Sequence, residues 1–396
     1  MSHFFRKGGI ALNDTEWIQD FADRRLQYGV SQTKLAVMAG ISREHLSRIE
    51  SGKVAVTEEM KVKLLEALEK FNPEAPLTML FDYVRIRFPT LDIGHIIKDI
   101  LQLNIQYMIH EDFGHYSYTE HYYIGDIFVY TSPDEEKGVL LELKGKGCRQ
   151  FESYLLAQER SWYDFLMDAL VDGGVMKRLD LAINDHTGML DIPELTEKCR
   201  NEECVSVFRS FKSYASGELV KHEEQDKAGM GYTLYIGSLK SEVYFCVYEK
   251  SYEQYIKLGI PIEEAPIKNR FEIRLKNERA YYAVRDLLTY YDAERTAFSI
   301  INRYVRFVDK EADKKRSDWK LSVRWAWFEP YTLDRTLRWI QRQVDPTLKM
   351  LETITAKTGI DYLKEIRKST KLTEKHYKII EQQTTSTEDV ILEKEN

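Results

Sequence analysis

Residues 30–52 have the sequence Val-Ser-Gln-Thr-Lys-Leu-Ala-Val-Met-Ala-Gly-Ile-Ser-Arg-Glu-His-Leu-Ser-Arg-Ile-Glu-Ser-Gly. Ser31 and Ser42 each stand just before a segment with apolar residues at helical spacing, where a serine hydroxyl can cap a helix N-terminus. Gly40 lies between the two segments, and glycine adopts the positive φ of a tight turn at little cost. The pattern predicts two short helices joined by a tight turn, with a shared core of Leu35, Ala36, Ile41, Leu46 and Ile49.

This segment resembles the helix-turn-helix of Cro/repressor-like DNA-binding domains. The matching pattern is Ser-Gln-x-x-Leu-Ala-x-x-x-Gly-Ile-Ser, followed by Leu-Ser-x-Ile-Glu-x-Gly. The resemblance implies that residues 1–72 form such a domain and that its second helix enters the major groove of DNA. The residues expected to face DNA are Gln32, Ser42, Arg43, Glu44 and Ser47. Arg43 is the best specificity candidate, because arginine bonds guanine in bidentate fashion. The alternative is a helical bundle that binds protein.

The whole chain has the composition of a soluble globular protein, with 396 residues, 43% hydrophobic and 31% charged. This length predicts two or three domains. No apolar segment is long enough to cross a bilayer and the first residues lack a signal peptide's apolar core, so we expect a cytoplasmic protein without membrane insertion. Its four cysteines lack paired metal-ligand spacing and are expected to be reduced. The net charge of −7 argues mildly against DNA binding, although local patches decide binding.

Two prolines in residues 72–78 predict a linker, after which the hydrophobic period changes from helical to alternating. The predicted strands are Phe81–Phe88, His121–Tyr130, Gly138–Lys144, Lys177–Ile183, Tyr232–Ile236, Val243–Tyr248 and Arg270–Lys276. Helical patterns interrupt them without a regular βα repeat. The sequence therefore predicts a multi-domain chain, in which an all-α domain precedes an α+β domain with a mostly antiparallel sheet over residues 79–290. A helical extension over 291–383 and a disordered tail over 384–396 are expected to follow.

Three predicted strands each contain an acid among apolar residues: Glu142, Asp180 and Glu272. A buried carboxylate is costly unless an arginine, a metal ion or solvent compensates it. Any one of these acids is explained by a strand in which every second side chain faces solvent. The three together are also compatible with a shared site for Mg²⁺ or Mn²⁺, which prefer oxygen ligands.

Tyr248 stands at the end of a predicted strand and is followed by Glu249 and Lys250. A tyrosine in such a place is ordinarily a half-buried amphipathic side chain. To act as a nucleophile, its phenol, with a reference pKa of about 10, must lose its proton or have its charge stabilised. Lys250 or a metal ion is suited to that role.

Six segments in chain order resemble the catalytic domain of the Rep_trans family, which comprises rolling-circle plasmid initiators and the MOB-T relaxases of integrative conjugative elements. They are residues 81–83, 141–143, 177–185, 233–241, 248–250 and 270–275, and the region they span covers about half of the chain. The resemblance implies that Tyr248 attacks a phosphodiester at a nick site and forms a 5′-phosphotyrosyl intermediate. It also implies a divalent ion, Mg²⁺ or Mn²⁺, held by Glu142, Asp180 and Glu272, with Asp185 in reserve. Glu249 departs from the family's tyrosine motif, which has Asp or Asn there.

Arg178, next to these acids, is predicted either to grip a DNA phosphate or to pair with a neighbouring carboxylate. The aromatic run Trp325–Phe328 is expected to stack on unpaired bases or to pack in a core.

Three functions follow from these patterns. The first is a relaxase that nicks the origin of transfer of a conjugative element, and the second is a plasmid rolling-circle replication initiator with the same chemistry. The third is a non-enzymatic DNA-binding regulator. For the first two, the expected partners are double-stranded and single-stranded DNA, and the family resemblance implies a coupling ATPase and a helicase.

Overall fold

The computed structural model describes residues 12–217, 229–307, 323–325 and 344–392. Its N-terminal part contains four helices, α1 (Leu12–Gln27), α2 (Gln32–Ala39), α3 (Arg43–Glu50) and α4 (Glu58–Glu69). The hydroxyls of Ser31 and Ser42 accept hydrogen bonds from backbone N–H groups in the first turns of α2 and α3. Apolar side chains of the four helices share one core that is separate from the core of the sheet described below. The predicted helix-turn-helix is confirmed.

Gly40 ends α2 in the left-handed region, with φ of 59° and ψ of 45°. We expect Gly40→Ala to lower the free energy of unfolding by about 1 kcal/mol, because an L-residue adopts this conformation at a cost. A Cβ atom there would meet only the Lys63 ammonium at 3.9 Å, so no steric clash adds to that cost. A urea titration measures the change. A loss above about 3 kcal/mol, or no loss, would contradict this conformational origin of the effect.

One large sheet dominates the rest of the chain, and its strand order is β2-β3-β4-β5-β1-β6-β11-β10-β9-β8. The strands are β1 (Leu77–Phe88), β2 (Ile109–Glu111), β3 (Glu120–Ile124), β4 (Ile127–Thr131), β5 (Val139–Lys144), β6 (Val175–Asp185), β7 (Cys204–Ser206), β8 (Phe211–Gly217), β9 (Gly229–Ile236), β10 (Val243–Glu249), β11 (Asn269–Lys276), β12 (Val305–Phe307) and β13 (Val323–Trp325). Neighbours along this path are antiparallel, and β13 pairs in parallel with β1. Strands β7 and β12 form a separate pair. The predicted antiparallel α+β architecture is confirmed.

Helices and short helical turns surround this sheet, and most of the helices share an apolar core with one of its faces. They are α5 (Ile93–His95), α6 (Lys146–Ala157), α7 (Trp162–Val171), α8 (Ile192–Arg200), α9 (Lys250–Leu258), α10 (Asn277–Tyr290) and α11 (Ala293–Tyr304), with a π-helical turn at Ile96–Ile100 and a 3-10 turn at Ile105–Tyr107. Helix α6 packs on β1, β4 and β5, and α10 packs on β6 and β11. Along β6 and β11, every second side chain therefore enters the apolar core, as Leu179, Leu181, Phe271 and Ile273 do.

The residues between these apolar ones project from the opposite face of the sheet, which we call the open face. Because side chains alternate along a strand, Asp180 on β6 and Glu272 on β11 share this face. A bulge in β1 between Phe81 and Tyr83 interrupts the alternation. A bulge re-aims side chains, and here Asp82 reaches Arg270 across the open face.

Some element boundaries differ from those predicted. The segment His121–Tyr130 is a hairpin of β3 and β4, turning at Gly125 with φ of 59°, and is not one strand. Strand β8 was not predicted, because its sequence is polar and lies at the end of the sheet. Strand β1 starts at Leu77, inside the predicted linker and two residues before the predicted start of the domain.

The C-terminal part is mainly helical, with α12 (Asp345–Thr358), α13 (Tyr362–Ser369), α14 (Glu374–Thr384) and α15 (Thr387–Val390). The prediction of a disordered tail from residue 384 was wrong as far as residue 392, because Val390 is buried and its carbonyl accepts a 2.9 Å hydrogen bond from Asn104. Of Trp325–Phe328, only Trp325 belongs to the described residues, in β13. Within the described ranges, no helix is long and apolar enough to span a membrane.

Candidate functional site

Tyr248 lies near the end of β10, with its ring on the open face. Register places Cys246 opposite Glu272 and Tyr248 opposite Arg270. The Tyr248 hydroxyl donates a 2.9 Å hydrogen bond to Glu272 Oε1 and accepts one of 3.3 Å from Lys250 Nζ. Lys250 also forms a 2.5 Å ion pair with Glu253. The predicted pair Tyr248 and Lys250 is therefore in contact, and a carboxylate completes the group.

Burial raises the pKa of the Tyr248 phenol far above its ordinary value, and the negative charge of Glu272 raises it further. The positive charge of Arg270 lowers this pKa but does not cancel the shift. The phenol is therefore protonated at neutral pH and needs a proton acceptor to become a nucleophile. Glu272 Oε1 already accepts its hydrogen bond. Burial and the nearby Arg270 charge lower the pKa of Lys250.

Asp180 and Glu272 lie side by side on β6 and β11. Arg274 donates hydrogen bonds of 2.9 and 2.6 Å to Glu272 Oε2, and its Nε lies 3.9 Å from Asp180 Oδ2. Arg178 holds the Asp180 carboxylate with bonds of 2.9 and 2.6 Å. Burial raises the pKa of Asp180 to about 6, and the charge of Glu272 acts in the same direction, while both arginines oppose the shift.

Glu142 occupies a different part of the open face. It lies on β5, and β1 separates that strand from β6. Its carboxylate accepts hydrogen bonds from the hydroxyls of Tyr83, Tyr116 (2.8 Å) and Tyr130 (3.3 Å), and it pairs with Lys144 at 2.7 Å. Burial alone would raise its pKa, but Lys144 and the tyrosine hydroxyls hold that pKa below its ordinary value.

The residues predicted to hold a metal ion are therefore brought together only in part. Asp180 and Glu272 share Arg274, whereas Glu142 is two strands away from Asp180, a distance of about 9 to 10 Å between backbones. Among the residues that the structure describes, no three His, Cys, Asp or Glu side chains are close enough to hold one ion. Of the three predicted ligands, only Asp180 and Glu272 are neighbours, and Arg178 and Arg274 balance their charge.

Asp185, the reserve ligand, has a structural role. Its carboxylate accepts backbone hydrogen bonds from Thr187, Gly188 and Leu190 and a side-chain bond from Asn269, which fix the loop after β6. Sequence reasoning missed Asp82 as a site residue. Its 2.9 Å ion pair with Arg270 depends on the β1 bulge, and no local pattern in the sequence predicts that bulge.

The residues predicted to contact duplex DNA lie on α2 and α3. Ser42, Arg43 and Glu44 are exposed, and Ser47 is half-buried. The Gln32 amide instead donates a 2.7 Å hydrogen bond to Glu50, which also pairs with buried Arg25. Those contacts tie α2 to α3, while Ser42, Arg43 and Glu44 at the start of α3 remain exposed.

The contacts and the exposure of Arg178 are compatible with both of its predicted roles. It pairs with Asp180, and its guanidinium lies 4.0 Å from the centre of the Tyr83 ring. The side chain is still 22% exposed, so one edge faces solvent on the open face.

Comparison with known proteins agrees with this fold. Residues 174–366 match a family described as replication initiation factor (Rep_trans), residues 78–168 match the rolling-circle replication initiation protein N-terminal domain, and residues 21–70 match a helix-turn-helix family. A Bacillus subtilis (strain 168) protein described as the putative DNA relaxase NicK is 38% identical over 333 residues, which cover 81% of this chain and 93% of that protein.

A solved structure of the rolling-circle replication initiator protein from Geobacillus stearothermophilus has a similar fold. Its TM-score is 0.51 at 23% identity, covering 64% of this chain and all of that one. The class defined by this sheet and by the N-terminal helices is that of relaxases and rolling-circle initiators with a helix-turn-helix domain. The chain belongs to the Rep_trans family, as the sequence resemblance predicted.

Proposed function

We propose that this protein is a relaxase that nicks one strand of DNA at an origin of transfer, with Tyr248 as the nucleophile. The observation that carries the proposal is the contact of the Tyr248 hydroxyl with a proton acceptor, Glu272, and a cation, Lys250, on the open face. Family membership and the identity with a putative DNA relaxase support the same chemistry.

In the proposed step, the Tyr248 oxygen attacks the phosphorus of the scissile phosphodiester while Glu272 accepts the phenol proton. The new bond joins the tyrosine oxygen to the 5′-phosphate, and the bond between phosphorus and the 3′-oxygen breaks. The 3′-oxygen leaves as a hydroxyl after taking a proton from water. Lys250 orients the nucleophile, since it donates to the same phenol oxygen.

A divalent ion, Mg²⁺ or Mn²⁺, is part of the proposal. When bound, it would polarise the scissile phosphate and stabilise its developing charge. The residues that we propose would hold it are Asp180 and Glu272, and Glu272 Oε1 would still accept the tyrosine proton. Glu142 remains a predicted third ligand, and it could join them only if its tyrosine partners moved.

A nicking assay tests this function. Supercoiled DNA that carries the element's own origin is incubated with the protein and Mg²⁺ or Mn²⁺, and in parallel with a chelator. We expect open-circular product with protein attached to the 5′ end, and none with the chelator. Specific binding without nicking under every condition would favour the non-enzymatic regulator.

The origin of transfer is favoured over a plasmid replication origin because the 38% identical relative is described as a relaxase. A plasmid initiator would use the same residues. The genes beside this one discriminate, since transfer genes accompany a relaxase and a plasmid replicon accompanies an initiator. The coupling ATPase, the helicase and the cytoplasmic location remain predictions.

Arg43 is proposed to recognise a guanine next to the nick site through the exposed α3 N-terminus. Arg43→Ala is expected to weaken specific duplex binding by about 1–3 kcal/mol and to relax the base preference at one position. Arg48→Ala is the matched control, because Arg48 is exposed on the same helix outside the predicted contact set. Binding to a set of single-base operator variants measures both effects. An equal loss of base preference in both variants would contradict the assignment.

A further inference from the structure

The open face extends beyond Tyr248 to a loop that carries exposed aromatic rings. Phe113 is 55% exposed and Tyr116 is 48% exposed, and both lie between β2 and β3. Tyr116 and the following Ser117 both have positive φ, 57° and 65°. This conformation is unfavourable for residues other than glycine, so surrounding contacts must hold it.

Those contacts are specific. The Tyr116 hydroxyl donates a 2.8 Å hydrogen bond to the buried Glu142, and Lys137 Nζ donates one of 2.7 Å to the Ser117 carbonyl. The Arg85 guanidinium lies 4.9 Å from the centre of the Tyr116 ring, and the Tyr130 ring meets it edge-on. The Tyr116 side chain is thus held in place, while the residue as a whole is 48% exposed.

Around Glu142, Asp180 and Glu272, the more exposed charged groups of this face are cations. Asp82 on this face, which pairs with Arg270, is 20% exposed. The carboxylate side chains of Glu142, Asp180 and Glu272 are almost fully buried, with exposures of 0%, 3% and 4%. Their cationic partners reach the surface, with exposures of 23% for Arg85, 43% for Lys144, 22% for Arg178 and 23% for Arg274. The acids therefore hold the cations in position, and the cations face the solvent.

From these observations we infer that Tyr116 is a stacking site for an unpaired base of the strand that is cut, and that Arg85, Lys144 and Arg178 bind the phosphates between that base and Tyr248. The inference rests on the proposed function. Protein sites for single strands combine a cationic track with aromatic rings on which bases stack, and both are present here.

The spacing of strands limits where the stacked base lies. Tyr248 on β10 is four strands, about 19 Å, from β5, which carries the Glu142 partner of Tyr116. Tyr248 aligns with Asn184 on β6, whereas Glu142 aligns with Arg178, which is six residues or about 20 Å away along β6, so about 28 Å separates the two backbones. At about 3.4 Å or more per nucleotide, a taut single strand covers this distance with no more than about eight nucleotides. On a taut strand, the stacked base is therefore within about eight nucleotides of the scissile phosphate.

The test uses the full chain and a single-stranded origin oligonucleotide with 2-aminopurine at successive positions from the nick. We expect one position to show quenched fluorescence with the natural protein and with Tyr116→Phe, but not with Tyr116→Ala. Affinity should fall roughly 5- to 100-fold in Tyr116→Ala and change less than about threefold in Tyr116→Phe. Tyr281→Ala is the matched control, since Tyr281 is 42% exposed on α10, on the helical side of the sheet.

Unchanged affinity and unchanged quenching in Tyr116→Ala would overturn the stacking site. If that variant does not fold, the same measurements of affinity and quenching are made with Tyr116→Leu, which keeps apolar bulk without a ring. Covalent attachment of the oligonucleotide is followed in the same samples. If the oligonucleotide becomes attached and Tyr116→Ala changes neither affinity nor quenching, the stacking site alone is rejected. If the oligonucleotide binds and is quenched but never becomes attached, the proposed nuclease is rejected and the stacking site remains supported.

Discussion

The Tyr248→Phe protein should nick origin DNA at least about 10⁴-fold more slowly than the natural protein, with no protein left on the cut strand. The substitution removes only the phenol oxygen. Glu272 keeps its two hydrogen bonds from Arg274, so the surrounding sheet should be unchanged. A single-turnover assay on supercoiled DNA measures the rate, and a denaturing gel shows the attached protein.

Tyr244→Phe is the matched control for this experiment. Tyr244 lies on the same strand and the same face, and its hydroxyl contacts Arg274 at 3.4 Å. We expect this variant to nick within about threefold of the natural rate, because its hydroxyl contacts neither Glu272 nor Lys250 in the described site. Normal nicking by Tyr248→Phe would assign the chemistry to another residue.

Glu272→Gln should lower the single-turnover nicking rate by about 10²- to 10⁴-fold while single-strand affinity stays within about threefold. The amide keeps the size of the side chain but cannot accept the Tyr248 proton, and it is also a weaker ligand for the proposed divalent ion. Because burial raises the pKa of Tyr248, water is a poor substitute for that acceptor. Loss of affinity in parallel with the rate would instead assign Glu272 to substrate binding.

Glu253→Gln serves as the comparison. Glu253 pairs with Lys250 and does not contact the Tyr248 hydroxyl, and the charge of Lys250 helps lower its pKa to about 2 despite burial. Its replacement should reduce nicking less than about tenfold, through looser placement of Lys250. If both glutamine variants lost activity equally, proton acceptance by Glu272 would not explain the site.

The parts of the fold that sequence predicts are those set by local patterns. Ser31 and Ser42 cap helices because a serine hydroxyl satisfies backbone donors of its own first turn. Likewise, the alternation around Asp180 and Glu272 places each on the face opposite the core, which needs only the two-residue period of a strand.

Features set by tertiary contacts were not predictable in this way. The sequence places Glu142, Asp180 and Glu272 on strands, but nothing local indicates that β1 inserts between β5 and β6 and separates Glu142 from the other two. The ordered segment up to residue 392 is polar, and its order depends on Val390 packing into the sheet core near Leu103. Strand order and docking of short segments are decided by packing across the whole chain.

Mass spectrometry of the covalent adduct tests the nucleophile most directly. The natural protein is trapped on a single-stranded origin oligonucleotide and digested with nuclease and trypsin. Cleavage after Lys240 and Lys250 gives a peptide of residues 241–250 that contains both Tyr244 and Tyr248. We predict fragment ions that place a 5′-phosphorylated nucleotide on Tyr248. The assignment would be contradicted if the DNA is nicked but the nucleotide is found on Tyr244 or on a tyrosine in another peptide. It would also be contradicted if the DNA is nicked and no tyrosine carries a nucleotide.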